Sequence, residues 1–174
     1  EHVQVVDAGD VSVTPYDIAE ACTQIQNHAA DILGGGDRRI VSIGGDHTIA
    51  LPNLRALHAK HGPVALVHFD AHLDYQPYTF EVQHAHGNPI RKVKELPNVR
   101  NLTQVGIRCY RSVQEDYLDS VRDGNFVLTT KQYQAGGNER LFSTLVPDLP
   151  VYLSVDVDVL DMTLAPGVGT PEPS

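Results

Sequence analysis

Three short stretches carry acidic and imidazole side chains at spacings that could hold cations. They are Gly44-Gly-Asp-His47, Asp70-Ala-His-Leu-Asp74 and Ser154-Val-Asp-Val-Asp158. In the second, Asp70, His72 and Asp74 alternate. Extended backbone repeats its side-chain direction every two residues, so the three project to one side. Carboxylates gathered alone would repel one another and hold protons more tightly, and a divalent cation removes that repulsion. The candidate ligand set is His47, Asp70, His72, Asp74, Asp156 and Asp158. Oxygen and imidazole donors without thiolate point away from structural zinc and toward Mn²⁺-like ions. With shared carboxylates they suffice for two cations about 3.5–4 Å apart. Of the neighbouring groups, Asp46 reads as support for its turn or for a ligand imidazole, and Asp161 as structural. His68 is expected to face away and pack, and His84 to sit in a loop.

These stretches need elements that present them together. The run before Asp70, Val64-Ala-Leu-Val67, has the composition of a fully buried strand. Residues 39–43 and 151–155 read as strands feeding the other two motifs, and residues 3–6, 99–107 and 125–128 as further strands. Helices are expected over residues 16–33, 48–61, 89–96, 112–121 and 131–145. Thr14-Pro15 is the expected start signal of the first and Gly34-Gly-Gly36 its stop. That glycine run lacks the Gly-Lys-Ser/Thr of a phosphate loop. Gly136-Gly137 weakens the last helix. Alternation of strands and helices implies an α/β fold: a mostly parallel central sheet in a three-layer α/β/α sandwich. In such a sheet the ends carrying the motifs share one edge, where active sites of open α/β sheets lie.

Composition narrows the functional classes. The 174 residues hold 13 Lys and Arg against 22 Asp and Glu, a formal charge of −9. That disfavours nucleic acid and anionic membranes and fits a cationic substrate. Nothing approaches a transmembrane run, and no signal-peptide pattern is present. Cys22 and Cys109 are too few for a disulfide scaffold and suit a reducing compartment, so a cytoplasmic location is expected. The chain lacks an initiator Met and ends in the loop-like Thr170-Pro-Glu-Pro-Ser174. We expect one catalytic domain over residues 1–174, missing N- and C-terminal parts.

The three motifs, followed by Ala165-Pro-Gly-Val-Gly-Thr-Pro171, resemble those of the ureohydrolases: arginase, agmatinase and their relatives. The resemblance runs from about Val3 to the end and implies an arginase-like fold. It implies a binuclear Mn²⁺ hydrolase that cleaves a guanidino group to urea and an amine, using water activated between the ions. Carried over by position, His47, Asp70, Asp74 and Asp156 would hold one ion. His72, Asp70, Asp156 and Asp158 would hold the other, with Asp70 and Asp156 bridging. Asp74 would also help move the proton to the leaving amine. His86, in His-Gly-Asn-Pro, matches the family's proton-shuttling histidine, a job suited to a side chain that ordinarily titrates near neutrality.

The same resemblance implies a homo-oligomer, trimer or hexamer. The aromatic and acidic loop over residues 75–85, including Glu81, suggests an agmatinase-like member converting agmatine to putrescine and urea. Another guanidino acid or formiminoglutamate remains an alternative, as does a catalytically silent subunit, though no ligand has been lost. A one-zinc deacetylase-like relative fits the paired ligand set less well. Asp161-Met162 and Gly167-Val-Gly169 depart from the family pattern beyond the ligands. The family's guanidinium-binding glutamate lies further downstream than Glu172, which is not assigned that role; part of the substrate site is expected past Ser174.

Overall fold

A computed structural model describes residues 3–77, 84–110 and 114–174. Helix α1 (Ile18–Gly34) is followed by a 3₁₀ turn (His47–Ile49), α2 (Ala50–His61) and β1 (Val64–Phe69). Then come α3 (Pro89–Lys94), β2 (Val99–Ile107), α4 (Gln114–Arg122), β3 (Phe126–Thr129), α5 (Thr130–Phe142), β4 (Val151–Val155) and a 3₁₀ turn (Val157–Val159). Among the described residues the strands form one sheet in the order β3-β2-β1-β4, and every pairing is parallel. The expected α/β architecture is therefore present, with β1 central and packed between β2 and β4.

Local chemistry explains most element ends. The first helix is capped by Asp17, whose carboxylate accepts the Glu20 N–H at 3.0 Å. The expected Thr14-Pro15 start is displaced because Tyr16 adopts φ +64°, left-handed backbone that interrupts the chain before Ile18. Asp46 caps the 3₁₀ turn at His47, accepting the Thr48 N–H at 2.9 Å. Gly62, at φ +66°, ends α2. Thr129 and Gln132 form a reciprocal capping box that starts α5, and Gly137 kinks that helix. The start expected for α4 at Ser112 lies outside the described residues.

Parallel β1 shows helices on both faces. Val64 and Leu66 point with Leu102 toward α2 and α3, in a cluster that also buries Leu54, Ile90 and Val93. Val67 points the other way with Val105 and Leu128, against Leu141 of α5. Helix α1 lies outside α2, through Ala29, Leu33 and Ala56. On the α5 side β4 is uncovered: Val151, Leu153 and Val155 are half exposed.

Two expected strands do not form. Residues 3–6 and 39–43 pair with no strand of the sheet, and Val5, Val41 and Ile43 are each more than four-fifths exposed. A strand exists through its ladder of hydrogen bonds, so an apolar run without a neighbouring edge stays irregular. Among the described residues, no helix is long and apolar enough to cross a membrane.

Candidate metal centre

The candidate ligands meet at the carboxyl ends of β1 and β4. The two ends are stitched together where the Asp156 N–H donates to the Phe69 carbonyl at 2.8 Å. Asp70 and Asp156 are thus the first residues past adjacent strands. His47 arrives from the first turn before α2 rather than from a strand end, which corrects the expectation for that motif. Strand parity there is replaced by the Asp46 cap, which aims the turn at the sheet.

Asp70 is the hub. Its Oδ2 lies 3.1 Å from His47 Nδ1, while its Oδ1 lies 3.3 Å from His72 Nδ1. Asp74 Oδ2 is 3.0 Å and Asp156 Oδ2 3.5 Å from that same His47 nitrogen. Asp158 Oδ2 is 3.0 Å from His72 Nδ1. All six candidates therefore gather around two imidazole nitrogens, with Asp156 approaching from the His47 side. Backbone donors hold the carboxylates in place. The His72 N–H bonds Asp70 Oδ1 at 2.6 Å and the Ala71 N–H bonds Asp158 Oδ1 at 3.1 Å. Asp74 sits at φ +47°, a conformation costing a non-glycine residue on the order of 1–3 kcal/mol, and from there it reaches His47.

Electrostatics follow from this crowding. Burial pulls the His47 imidazolium down, but hydrogen bonds and charge from Asp70 and Asp74 outweigh it and push it up to about 10. Burial likewise opposes charge on His72, and Asp158 and Asp70 push it up to about 11. Burial disfavours the Asp70 anion too, yet the three histidines around it hold its carboxyl well below the usual range. Asp74 and Asp156 are raised, by burial first and by the charge of Asp70 as well. The imidazoles thus carry the compensating positive charge that bound cations would otherwise supply. The donors fit divalent ions of the Mn²⁺ type: the six candidates offer only carboxylate oxygen and imidazole nitrogen, with ligand atoms of Asp70, His72 and Asp158 within 4.8 Å of one another.

Five further residues support the ligands. His68, expected to face away, is fully buried and lies 2.8 Å from Asp70 Oδ2 through Nε2. Residues two apart on a strand share a side, so β1 parity places it with Asp70. Gln104 fixes its tautomer, donating from its amide to His68 Nδ1 at 3.3 Å and leaving the proton on Nε2. The Gln104 carbonyl in turn accepts from Ser120 Oγ at 2.7 Å. On the other histidine, His47 Nε2 meets Ser154 Oγ at 2.8 Å. Arg108 donates to the carbonyls of Asp158, Leu160 and Glu172 at 2.9–3.0 Å, pinning the terminal loop beside the centre. Ser154 opens the third motif and His68 lies two residues before Asp70, but the partners of Gln104, Ser154 and Arg108 are remote in sequence and spacing does not name them.

The remaining expectations divide. His86 lies exposed on the turn before α3. Asp161 is structural, accepting from Thr163 and Ser174. Tyr75, expected to open the substrate loop, is instead a core residue. It is fully buried, and its hydroxyl donates to Asp123 at 2.6 Å. Residues 78–83, including Glu81, lie outside the described residues. A surface cavity of about 390 Å³ involves Tyr75, Arg91 and Asp123, and none of the six candidate ligands lines it.

A parallel α/β sheet carrying a compact cluster of carboxylates and imidazoles at the carboxyl ends of adjacent strands defines the class: an α/β domain with a candidate two-cation centre. Residues 1–174 match the model of the Arginase family, and the chain belongs to that family. It is 38% identical to a guanidinobutyrase of Pseudomonas aeruginosa, over 99% of this chain and 55% of the relative. An agmatinase of Photorhabdus laumondii is 39% identical, over 97% of this chain and 53% of the relative. The solved proclavaminate amidino hydrolase of Streptomyces clavuligerus superposes with a TM-score of 0.86 at 37% identity, covering 97% of this chain and 57% of that one. The chain spans about half the length of the curated relatives it matches.

Proposed function

We propose that the protein hydrolyses a linear guanidino group to urea and an amine with two bound Mn²⁺, and that agmatine, yielding putrescine and urea, is its substrate. The observation carrying this reading is Asp70, a single carboxylate whose two oxygens face two different imidazole Nδ1 atoms. His47, Asp70, Asp74 and Asp156 would hold one ion and His72, Asp70, Asp156 and Asp158 the other, with Asp70 and Asp156 serving both. Ions there supply Lewis acidity and lower the pKa of water. The chain's own groups do the rest. Asp74 accepts a hydrogen bond from the attacking water and passes its proton toward the leaving amine. His86, on the turn before α3, exchanges protons with solvent. A net charge of −9 suits a cationic substrate. The relatives named agmatinase and guanidinobutyrase support a guanidino compound. We further place the enzyme in the cytoplasm as a homo-oligomer, trimer or hexamer.

Urea release with added Mn²⁺, measured over agmatine, arginine and guanidinobutyrate, tests the substrate. Highest kcat/KM on agmatine is the expected result, and a preference for guanidinobutyrate would replace it. No urea from any of them would favour formiminoglutamate hydrolysis or a silent subunit. Asp70→Asn is expected to lose both ions by elemental analysis while keeping its far-ultraviolet dichroism. Two ions retained in that variant would sink the bridging role.

A further inference from the structure

The terminal loop turns back over the centre and buries an acidic side chain beside it. Glu172 is 6% exposed, and its Oε1 faces His72 Nε2 at 3.6 Å. That is the ring edge opposite the Nδ1 aimed at Asp70 and Asp158. The loop is held by contacts that leave the carboxylate free to act. Arg108 bonds the backbone carbonyls of Glu172 and Pro173, at 2.9 and 3.1 Å, rather than the side chain. Thr170 Oγ1 donates to Asp158 Oδ2 at 3.0 Å. Pro171 and Pro173 flank the residue and restrict its backbone.

A neutral imidazole that binds a cation through Nδ1 must carry its proton on Nε2. Metal-ligating histidines almost always give that proton to a carboxylate, a carbonyl or water, which fixes the ring and raises its basicity. Cys109 also neighbours this edge, its sulfur within 4.8 Å of the His72 and Glu172 ligand atoms. A thiol is a weak acceptor, so the carboxylate takes the proton.

We propose that Glu172 is a positioning residue: its carboxylate accepts the His72 Nε2–H, locks the ring with Nδ1 toward Asp70 and Asp158, and strengthens the ion held there. The inference rests on the two-ion reading above and adds a residue whose effect falls on one ion only. Because Arg108 grips the backbone, Glu172→Leu leaves the loop anchored.

Calorimetric titration of Mn²⁺ into the metal-stripped full chain is the test, on wild type, Glu172→Leu and Glu172→Gln. Glu172→Leu is expected to weaken one of two binding events by about 10–100-fold and leave the other unchanged. Glu172→Gln keeps an acceptor oxygen and should recover most of that loss. In turnover, kcat should fall in the leucine variant while KM for agmatine holds. Unchanged affinity for both ions overturns the proposal. A raised KM at constant kcat overturns it in favour of a substrate contact. Equal weakening of both ions with a lower melting temperature of the stripped chain overturns it in favour of a purely structural role. A wild type that binds no Mn²⁺ removes the two-ion reading itself, an outcome distinct from all of these.

Discussion

At the scale of single residues, the centre is a contest between protons and cations for two imidazole nitrogens. Without cations, His47 and His72 hold protons up to about 10 and 11, well above the ordinary histidine value of 6.5. Each Nδ1 must give up its proton before it can donate a lone pair, so binding and deprotonation are linked. At pH 7.5 loading of both sites should release protons from both rings, and apparent affinity should rise with pH until about 10 at the His47 site and about 11 at the His72 site. Titrations in buffers of different ionisation enthalpy measure that release; affinity independent of pH between 7 and 9 would contradict it. The linkage has a second sign. A raised histidine stabilises the cation-free fold fully below pH 6.5, and this contribution is lost as pH rises through about 10 for His47 and about 11 for His72. High pH therefore weakens the empty protein while favouring the loaded one.

At the scale of elements, precision comes from how strand ends are joined. Gly106 lies where the β2–β3 register shifts, between Val105 and Ile107, and adopts φ +97°. A Cβ there would stand 2.6 Å from the Val159 side chain and 3.0 Å from the Asp70 carbonyl oxygen. One backbone position thus lets β2 approach both the hub residue and the turn bearing Asp158. Gly106→Ala should cost about 1–3 kcal/mol from the left-handed backbone alone, with displacement of Asp70 added. For a domain of this size each kcal/mol lowers Tm by about 2–4 °C. Calorimetry on the loaded protein checks this, and an unchanged Tm would show that the junction yields without strain. The motif around Asp70 was readable from its residue types and close spacing, but not from strand parity: residues 71–72 bend and Asp74 takes left-handed backbone instead of continuing the extended strand. The need for glycine across from it was not readable, because it arises from a neighbouring strand.

At the scale of the whole molecule, the centre ties together segments far apart in the chain. His47 precedes β1, Asp70 to Asp74 follow it, and Asp156 and Asp158 follow β4. Ions shared among them would act as cross-links confined to the folded state. Free cation at about a hundred times its Kd adds about 2.7 kcal/mol of stability per site. A chelator should therefore lower Tm, and hydrogen exchange should quicken at residues 44–47 and 157–159 before it does in β1. Equal Tm with and without chelator would argue against cations at this centre. Among the described residues, β4 is an edge strand of the sheet, and its Val151, Leu153 and Val155 are half exposed.

Sequence alone determined the ligand types, their alternation after β1, the buried character of that strand and the parallel α/β plan. These depend on periods of two and of three to four residues, which are written locally. Tertiary structure decided which groups support the ligands and which apolar runs become strands. Ser154 reaches His47 across 107 residues, Arg108 reaches Glu172 across 64, and Gln104 reaches His68 across 36. Residues 39–43 have the composition of a strand, yet they pair with no strand among the described residues. Hydrogen bonds between remote segments and the ladder of a sheet both need a partner in space, and spacing along a chain does not name that partner.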